Sequence, residues 1–295
     1  MRKNRYRPPS RLPSASYLPR LPSRPSAKLE NTKMTGELSP IDRAKYVAAC
    51  GAADFVENGM RVGLGTGSTA AWLVKRLGEL VRERNLRFRA VATSERTEEL
   101  ARQAGLSVMS LEDARWLDLT IDGADEFDQE LNLIKGGGGA LLREKIVATA
   151  SDQMIVIADA SKEVETLGAF PLPCEVLQFG WRTTQALIEE TLTAVDVLGR
   201  SSSLRMNGSE PFVTDNGNYV IDLHLNRIGN TRQLAMVLNQ MPGVVDNGLF
   251  VDICDTVIVG HADGRIEMRD IKEGRISHEQ IDLREDDNIF ANIGD

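Results

Sequence analysis

Three stretches of the chain concentrate residues able to do chemistry. The first is Gly63-Leu64-Gly65-Thr66-Gly67-Ser68-Thr69, set between an apolar strand and a helix. Glycines let the backbone approach an anion, and the N–H groups of the following helix start point at it. Ser68 and Thr69 add hydroxyl donors. A dinucleotide fingerprint needs glycine where Ser68 stands and an acid at the end of the second strand, which here reads Ala92-Thr93-Ser94. A nucleotide P-loop needs Gly-Lys before its Ser or Thr, also absent here. The loop therefore suits a single phosphate, with a tight packing turn as the alternative. The second stretch is Asp122-Gly123-Ala124-Asp125-Glu126, directly after a predicted strand. Ligands of open parallel sheets sit beyond the carboxyl ends of strands. Two aspartates there can hold sugar hydroxyls or take part in proton transfer. A Mg²⁺ site and a solvated acidic turn are the alternatives.

The third stretch is Lys135-Gly136-Gly137-Gly138-Gly139. Four glycines lose much conformational entropy on folding, and a mere linker fits poorly beside a lysine just before a helix. Lys135 can supply positive charge to a developing oxyanion. Glu144 follows on that helix, where alone it reads as a solvated residue. Ser161-Lys162 follows another strand, where Lys162 alone reads as a surface lysine. No Ser/His/Asp grouping or reactive-cysteine setting is visible. Carboxylates, lysines and phosphate-type loops fit acid–base chemistry on a phosphorylated polyol.

Composition narrows the classes further. The chain has 295 residues, 42% hydrophobic and 26% charged, with a net charge of -8. That balance fits an ordinary globular protein, and its sign disfavours nucleic acid as a partner. Cys50, Cys174 and Cys254 are far apart, which excludes a disulfide framework or a cysteine zinc site and suggests a reducing cytosol. His224, His261 and His278 lack metal-ligand spacing. No apolar run approaches the roughly 18 residues of a membrane span.

The elements that must position these residues follow from periodicity. Residues 1–34 carry nine basic side chains, one acid and six prolines, and they predict a disordered basic extension, with Met34 as a natural start and a transit peptide as the alternative. Order begins at Ser39-Pro40-Ile41-Asp42, a capped helix start running to about Glu57. Strands are predicted at Met60–Leu64, Phe88–Thr93, Leu117–Ile121 and Met154–Ala158. Helices lie between them, one with Ala70, Leu73, Val74, Leu77, Leu80 and Val81 on a single face. The alternation predicts an α/β fold, Rossmann-like, with a mostly parallel sheet and helices on both faces. It should span 35–171 and 248–270. Residues 172–247 predict a smaller α+β, ferredoxin-like subdomain, with strands at Leu172–Phe179, Asp196–Arg205 and Tyr219–His224. Strands near Leu249–Ile253 and Thr256–Val259 should return to the main sheet. Residues 271–295 predict a solvated acidic tail.

The ordered set of motifs carries a resemblance. Gly65-Thr66-Gly67-Ser68-Thr69, Asp122-Gly123-Ala124-Asp125-Glu126, Lys135-Gly136-Gly137-Gly138, Arg143-Glu144-Lys145 and Ile157-Ala158-Asp159-Ala160-Ser161-Lys162 occur in this order. From Met34 to about Asp270 the chain closely resembles ribose-5-phosphate isomerase of the A type. Val213-Thr214-Asp215-Asn216-Gly217-Asn218 and Pro242-Gly243-Val244-Val245 also look like that family. The resemblance implies interconversion of ribose 5-phosphate and ribulose 5-phosphate in the pentose phosphate pathway, without metal or cofactor, by a cytoplasmic homodimer. By position, Glu144 matches the catalytic base. Thr66, Gly67, Ser68 and Thr69, Asp122, Gly123, Ala124 and Asp125, Lys135, Gly136, Gly137 and Gly138, and Lys162 match substrate-binding segments. Lys45 matches a lysine near the phosphate. Lys135 would then face the enediolate oxygen, and Asp122 and Asp125 would manage hydroxyl protons and ring opening. The alternatives are a non-catalytic sugar-phosphate sensor and a nucleotide-dependent oxidoreductase.

Overall fold

The computed structural model describes residues 38–271 and 274–281; the basic extension and most of the acidic end lie outside them. Ser39 starts the first helix as its sequence dictates. Its hydroxyl accepts from the Asp42 N–H at 3.1 Å, and Pro40 takes the first helical position, giving α1 (Pro40–Ala53). The helix stops short of Glu57, because Phe55 and Val56 bond back to Ala52 and Ala53 as turns. The chain then alternates through β1 (Arg61–Leu64), α2 (Ser68–Arg84), β2 (Arg89–Ala92), α3 (Glu95–Gln103), the short α4 (Leu111–Ala114) and β3 (Leu119–Gly123). A small hairpin, β4 (Glu126–Phe127) and β5 (Leu133–Ile134), leads into α5 (Leu141–Thr149) and β6 (Met154–Asp159). Next come β7 (Leu172–Val176), α6 (Trp181–Leu192), β8 (Ser201–Leu204), the hairpin β9 (Met206–Asn207) and β10 (Glu210–Pro211), and β11 (Tyr219–His224). The chain closes with α7 (Thr231–Asn239), β12 (Val244–Asn247), β13 (Leu249–Phe250), β14 (Thr256–Gly260), β15 (Arg265–Asp270) and β16 (Arg275–Gln280).

The main sheet has the order β16-β15-β14-β6-β3-β1-β2. Its β14, β6, β3, β1 and β2 run parallel, while β15 and β16 add an antiparallel hairpin. Strand β6 is buried along its whole length, as expected of a strand covered on both faces. Its Ile155 and Ile157 pack with Val47, Leu64, Leu73 and Leu77, from α1, β1 and α2. Its Met154, Val156 and Ala158 pack on the opposite face with Phe127, Leu133 and Phe250. A leucine such as Leu77, wholly buried, contributes about 1.5–3 kcal/mol relative to an exposed one.

Residues 172–247 form the second sheet, order β12-β7-β11-β8, all antiparallel. Strand–helix–strand, strand–helix–strand with that order is the ferredoxin-like arrangement. Several further expectations need correction; the strand expected over Leu172–Phe179, for one, ends at Val176. Strand β3 continues past Ile121, because Asp122 and Gly123 still pair with Val156 and Ile157. The strand expected over Asp196–Arg205 is shorter, since Val197 makes a separate bridge to Ile228. Leu249 and Phe250 pair with β5 in a three-stranded sheet rather than rejoining the main one; only Thr256–Gly260 returns there. Part of the expected acidic tail is strand. Residues Arg275–Gln280 pair with β15, whose Ile266 and Met268 anchor the hairpin to the core.

Candidate active site

The chain leaves β1 toward β2 on one side and returns to β3 on the other, so a crevice opens at the carboxyl ends of β1 and β3. The glycine loop lines one wall. A Cβ on Gly65 would lie 1.9 Å from Asp122 Oδ1, so only glycine allows β1 and β3 to bring these groups together. The Thr66 and Gly123 N–H groups both donate to that oxygen, at 3.1 and 2.7 Å. Gly67 precedes α2 at φ 117°, and no side chain caps the helix start. Its first-turn N–H groups are thus open toward an anion. Lys45 reaches in from α1 to donate to Ser68 Oγ at 3.0 Å, placing an ammonium at the same spot.

A buried cluster of charged side chains lies deeper. The β4–β5 hairpin folds back so that the Asp125 N–H meets Ile134 O, and the Lys135 N–H meets Gly248 O. This aims the Lys135 side chain inward, where Nζ donates to Gly123 O at 2.6 Å. The same ammonium lies 3.0 Å from Asp122 Oδ2 and 3.3 Å from Glu144 Oε2. Both are close ion contacts. Asp122, Lys135 and Glu144 are 0, 2 and 3% exposed. One cation therefore faces two carboxylates in a nearly dry space. Burial first, then the Asp122 charge, pushes the Glu144 carboxyl up to about 8, against the pull of Lys135. Burial also raises the Asp122 carboxyl. Burial opposes the charge on Lys135, but Asp122 and Glu144 outweigh it and hold the ammonium above its usual range.

Around this centre, the half-buried Asp125 accepts from the Gly137 N–H at 2.7 Å. Gly138 faces the Thr66 methyl across the crevice, with 3.5 Å from its ideal Cβ to Thr66 Cγ2. Gly123 and Ala124 are half-buried and Gly136 is buried. Lys162 is half-buried on the short turn Ala160–Lys162 after β6, one strand beyond β3. Among the described residues, no three His, Cys, Asp or Glu side chains are grouped to hold a metal ion. The Lys135 ammonium fills the position between the aspartate and the glutamate.

Comparison with known proteins decides the family. The profile of ribose 5-phosphate isomerase A (phosphoriboisomerase A) matches residues 89–264. Ribose-5-phosphate isomerase A of Ruegeria sp. (strain TM1040) is 70% identical over 262 residues, covering 89% of this chain and 100% of that protein. The chain belongs to the ribose 5-phosphate isomerase A family. The Ruegeria pomeroyi protein of that name matches equally well, at 70% over the same shares. Among solved structures, a D-ribose-5-phosphate isomerase in complex with phospho-erythronic acid is 37% identical, with a TM-score of 0.70 over 82% of this chain and 99% of that one. Ribose 5-phosphate isomerase from Plasmodium falciparum is 32% identical, with a TM-score of 0.71 over 82% and 100%.

Motif reading of the chain missed several supporting residues. Thr66 Oγ1 lies 2.8 Å from both Thr93 Oγ1 and Ser94 Oγ, and Thr97 Oγ1 donates to Gly65 O at 3.0 Å. Ser94 was legible only as a helix cap. Arg143, next to Glu144, donates to Asn216 Oδ1 and Asp215 O, both at 2.9 Å. Asp215 in turn accepts from the Glu95 N–H at the start of α3. The Val213–Asn218 motif was the one signal for this tie. Arg205 had none.

Proposed function

We propose that this chain interconverts ribose 5-phosphate and ribulose 5-phosphate, with Glu144 carrying one proton between C2 and C1. The observation that supports this reading most is Lys135 held between Asp122 and Glu144 with almost no exposure. Aldose–ketose isomerisation passes through an enediolate, and its two proton transfers need only one carboxylate if the proton stays on one face. Glu144, in its ionised form, takes the C2 proton and returns it to C1. Lys135 balances charge at the enediolate oxygen, where a buried cation acts far more strongly than in water. Asp122 and Asp125 receive and return hydroxyl protons, both in ring opening and in moving the proton of the C2 hydroxyl to the C1 oxygen. Thr66, Gly67, Ser68 and Thr69, with Lys45, grip the phosphate, and Lys162 adds charge at its rim. Binding energy from that remote group holds the reacting carbons in place.

A relative binds phospho-erythronic acid, a sugar acid that carries both a phosphate and a carboxylate. That pairing fits a glycine loop and a lysine that both adjoin Asp122. The sensor reading has no support, since relatives matched over their whole length bear the isomerase name. We also propose a homodimer and a cytoplasmic location. Sedimentation equilibrium tests the first. For the second, no helix among the described residues is long and apolar enough to cross a membrane. The functional test is turnover of ribose 5-phosphate by the purified chain in EDTA, with free ribose as control. Full activity with chelator, and kcat/KM for ribose lower by at least about 10²-fold, are expected. Metal-dependent turnover would move Asp122 and Asp125 from proton handling to metal ligation.

A further inference from the structure

We infer that Arg205, which the second sheet carries, is a positioning residue for the glycine loop of the active site. The inference rests on the isomerase reading above. Arg205 directly follows β8, and its backbone is pinned on both sides: its N–H donates to Val220 O, and its C=O accepts from the Phe212 N–H. One edge of the guanidinium is committed to Asp222, with Nε 2.9 Å from Oδ2 and Nη2 2.5 Å from Oδ1. The remaining nitrogen, Nη1, donates to two successive carbonyls of the loop, Gly136 O at 2.8 Å and Gly137 O at 3.1 Å. The guanidinium also lies over the Phe212 ring, 5.9 Å from its centroid. That ring occupies the space a side chain on Gly139 would need, 2.4 Å from its ideal Cβ. Arg205 and Phe212 thus brace the loop on its outer side.

Peptide planarity turns this brace into an effect on the site. In a planar trans peptide the C=O of one residue and the N–H of the next point in opposite directions. Gly136 O faces Arg205, so the Gly137 N–H faces away, and it does meet Asp125 Oδ2 at 2.7 Å. Gly137 O also faces Arg205, so the Gly138 N–H points to the same side as Asp125. Two successive N–H groups directed to one side form a concavity suited to an anion or an electron-rich oxygen. Together with the Gly139 N–H, which also donates to Gly136 O at 2.9 Å, Arg205 thereby sets the orientation of Asp125 and of a free donor without touching the substrate. A lysine cannot replace it, because one ammonium cannot hold Asp222 in a fork and two carbonyls at the same time.

The test compares wild type, Arg205→Lys and Asp222→Asn by steady-state kinetics on ribose 5-phosphate, by competitive inhibition with inorganic phosphate, and by thermal melting. Folded Arg205→Lys should lose about 10- to 100-fold in kcat, the scale of a small misplacement of reacting groups. Inhibition by inorganic phosphate should stay near the wild-type value, because the loop at Thr66–Thr69 is held by other hydroxyls. Asp222→Asn, which keeps the arginine but loosens its fork, should show a smaller loss in the same direction. A folded Arg205→Lys with wild-type kcat would overturn the inference. A parallel loss of kcat and of phosphate inhibition would also overturn it, since that is general loosening. Failure of wild type itself to turn over ribose 5-phosphate would instead overturn the functional reading on which the inference stands.

Discussion

Replacing Glu144 by glutamine should make the protein more stable and much less active, and the gain in stability should grow with pH. The substitution keeps size and polarity but removes the titration. Burial and Asp122 raise the Glu144 carboxyl from its usual 4.5 to about 8 in the folded chain. A raised folded value means the native state holds this proton more tightly than the unfolded chain does. The associated stability is fully present below about pH 4.5 and is lost as pH rises through 8. At about 1.4 kcal/mol per pH unit, ionising Glu144 inside the fold costs up to about 5 kcal/mol by pH 9. Glutamine avoids that cost. The attraction of Lys135 is already contained in that raised value, so a net shift of up to about 5 kcal/mol is expected. Urea unfolding of both proteins at several pH values from 5 to 9 reads this difference directly. The curves should lie close together near pH 5, separate steadily in favour of Glu144→Gln as pH rises toward 8, and keep a constant separation above it. In the same samples kcat should fall by about 10²–10⁴, the range for a positioned general base. Parallel stability profiles would show that Glu144 ionises at an ordinary value. A variant that becomes the less stable one at high pH would mean that Glu144 is a stabilising partner of Lys135, refuting the argument from burial.

With Glu144 as the proposed base, the same elevated carboxyl should set the pH dependence of wild-type turnover. Because the base must be ionised, kcat/KM should rise with pH along a limb centred well above 4.5 and toward 8, then level off; a limb centred near 4.5 would contradict the geometry. Gly65→Ala would place a methyl 1.9 Å from Asp122 Oδ1 and 2.6 Å from its Cα. Steady-state kinetics and urea unfolding should show a loss of at least about 10²-fold in kcat/KM and about 1–3 kcal/mol of stability, whereas a loop that merely turns the chain would tolerate alanine.

Local chemistry made much of this protein legible. Ser39 and Pro40 announced the first helix, and glycines between an apolar strand and a helix announced the loop at Thr66. Two aspartates after a buried strand announced the crevice. What stayed hidden were contacts that only the folded chain creates. Lys135 meets Asp122 only because the β4–β5 hairpin turns the chain back on itself. Thr93 and Thr97 lie about 30 residues from Thr66 and converge beneath it through the parallel pairing of β1 with β2. The strand at Arg275–Gln280 escaped notice because an edge strand whose residues 276–280 are largely exposed needs no marked alternation, so Ser277 and Glu279 looked like tail.

The placement of the hidden contacts follows from what the site demands. Two carboxylates and one ammonium with almost no exposure are an arrangement that folding alone does not favour, since desolvation opposes each charge. A raised carboxylate, however, is a stronger base than one in water, and the same burial that raises it makes the lysine a more effective partner for a developing oxyanion. Such a centre needs walls that hold still without adding charge inside. The wall at Thr66 is held by neutral hydroxyls from β2 and α3. The wall at Gly136–Gly139 has no side chains of its own and is braced from outside by Arg205 and Phe212. The charges of Arg205 and Asp222 stay behind the peptide planes, so they orient the loop while leaving Lys135 as the ammonium that contacts both Asp122 and Glu144. On the inference drawn for Arg205, the second sheet has a chemical use: it holds the glycine loop from the side of the Gly136 and Gly137 carbonyls.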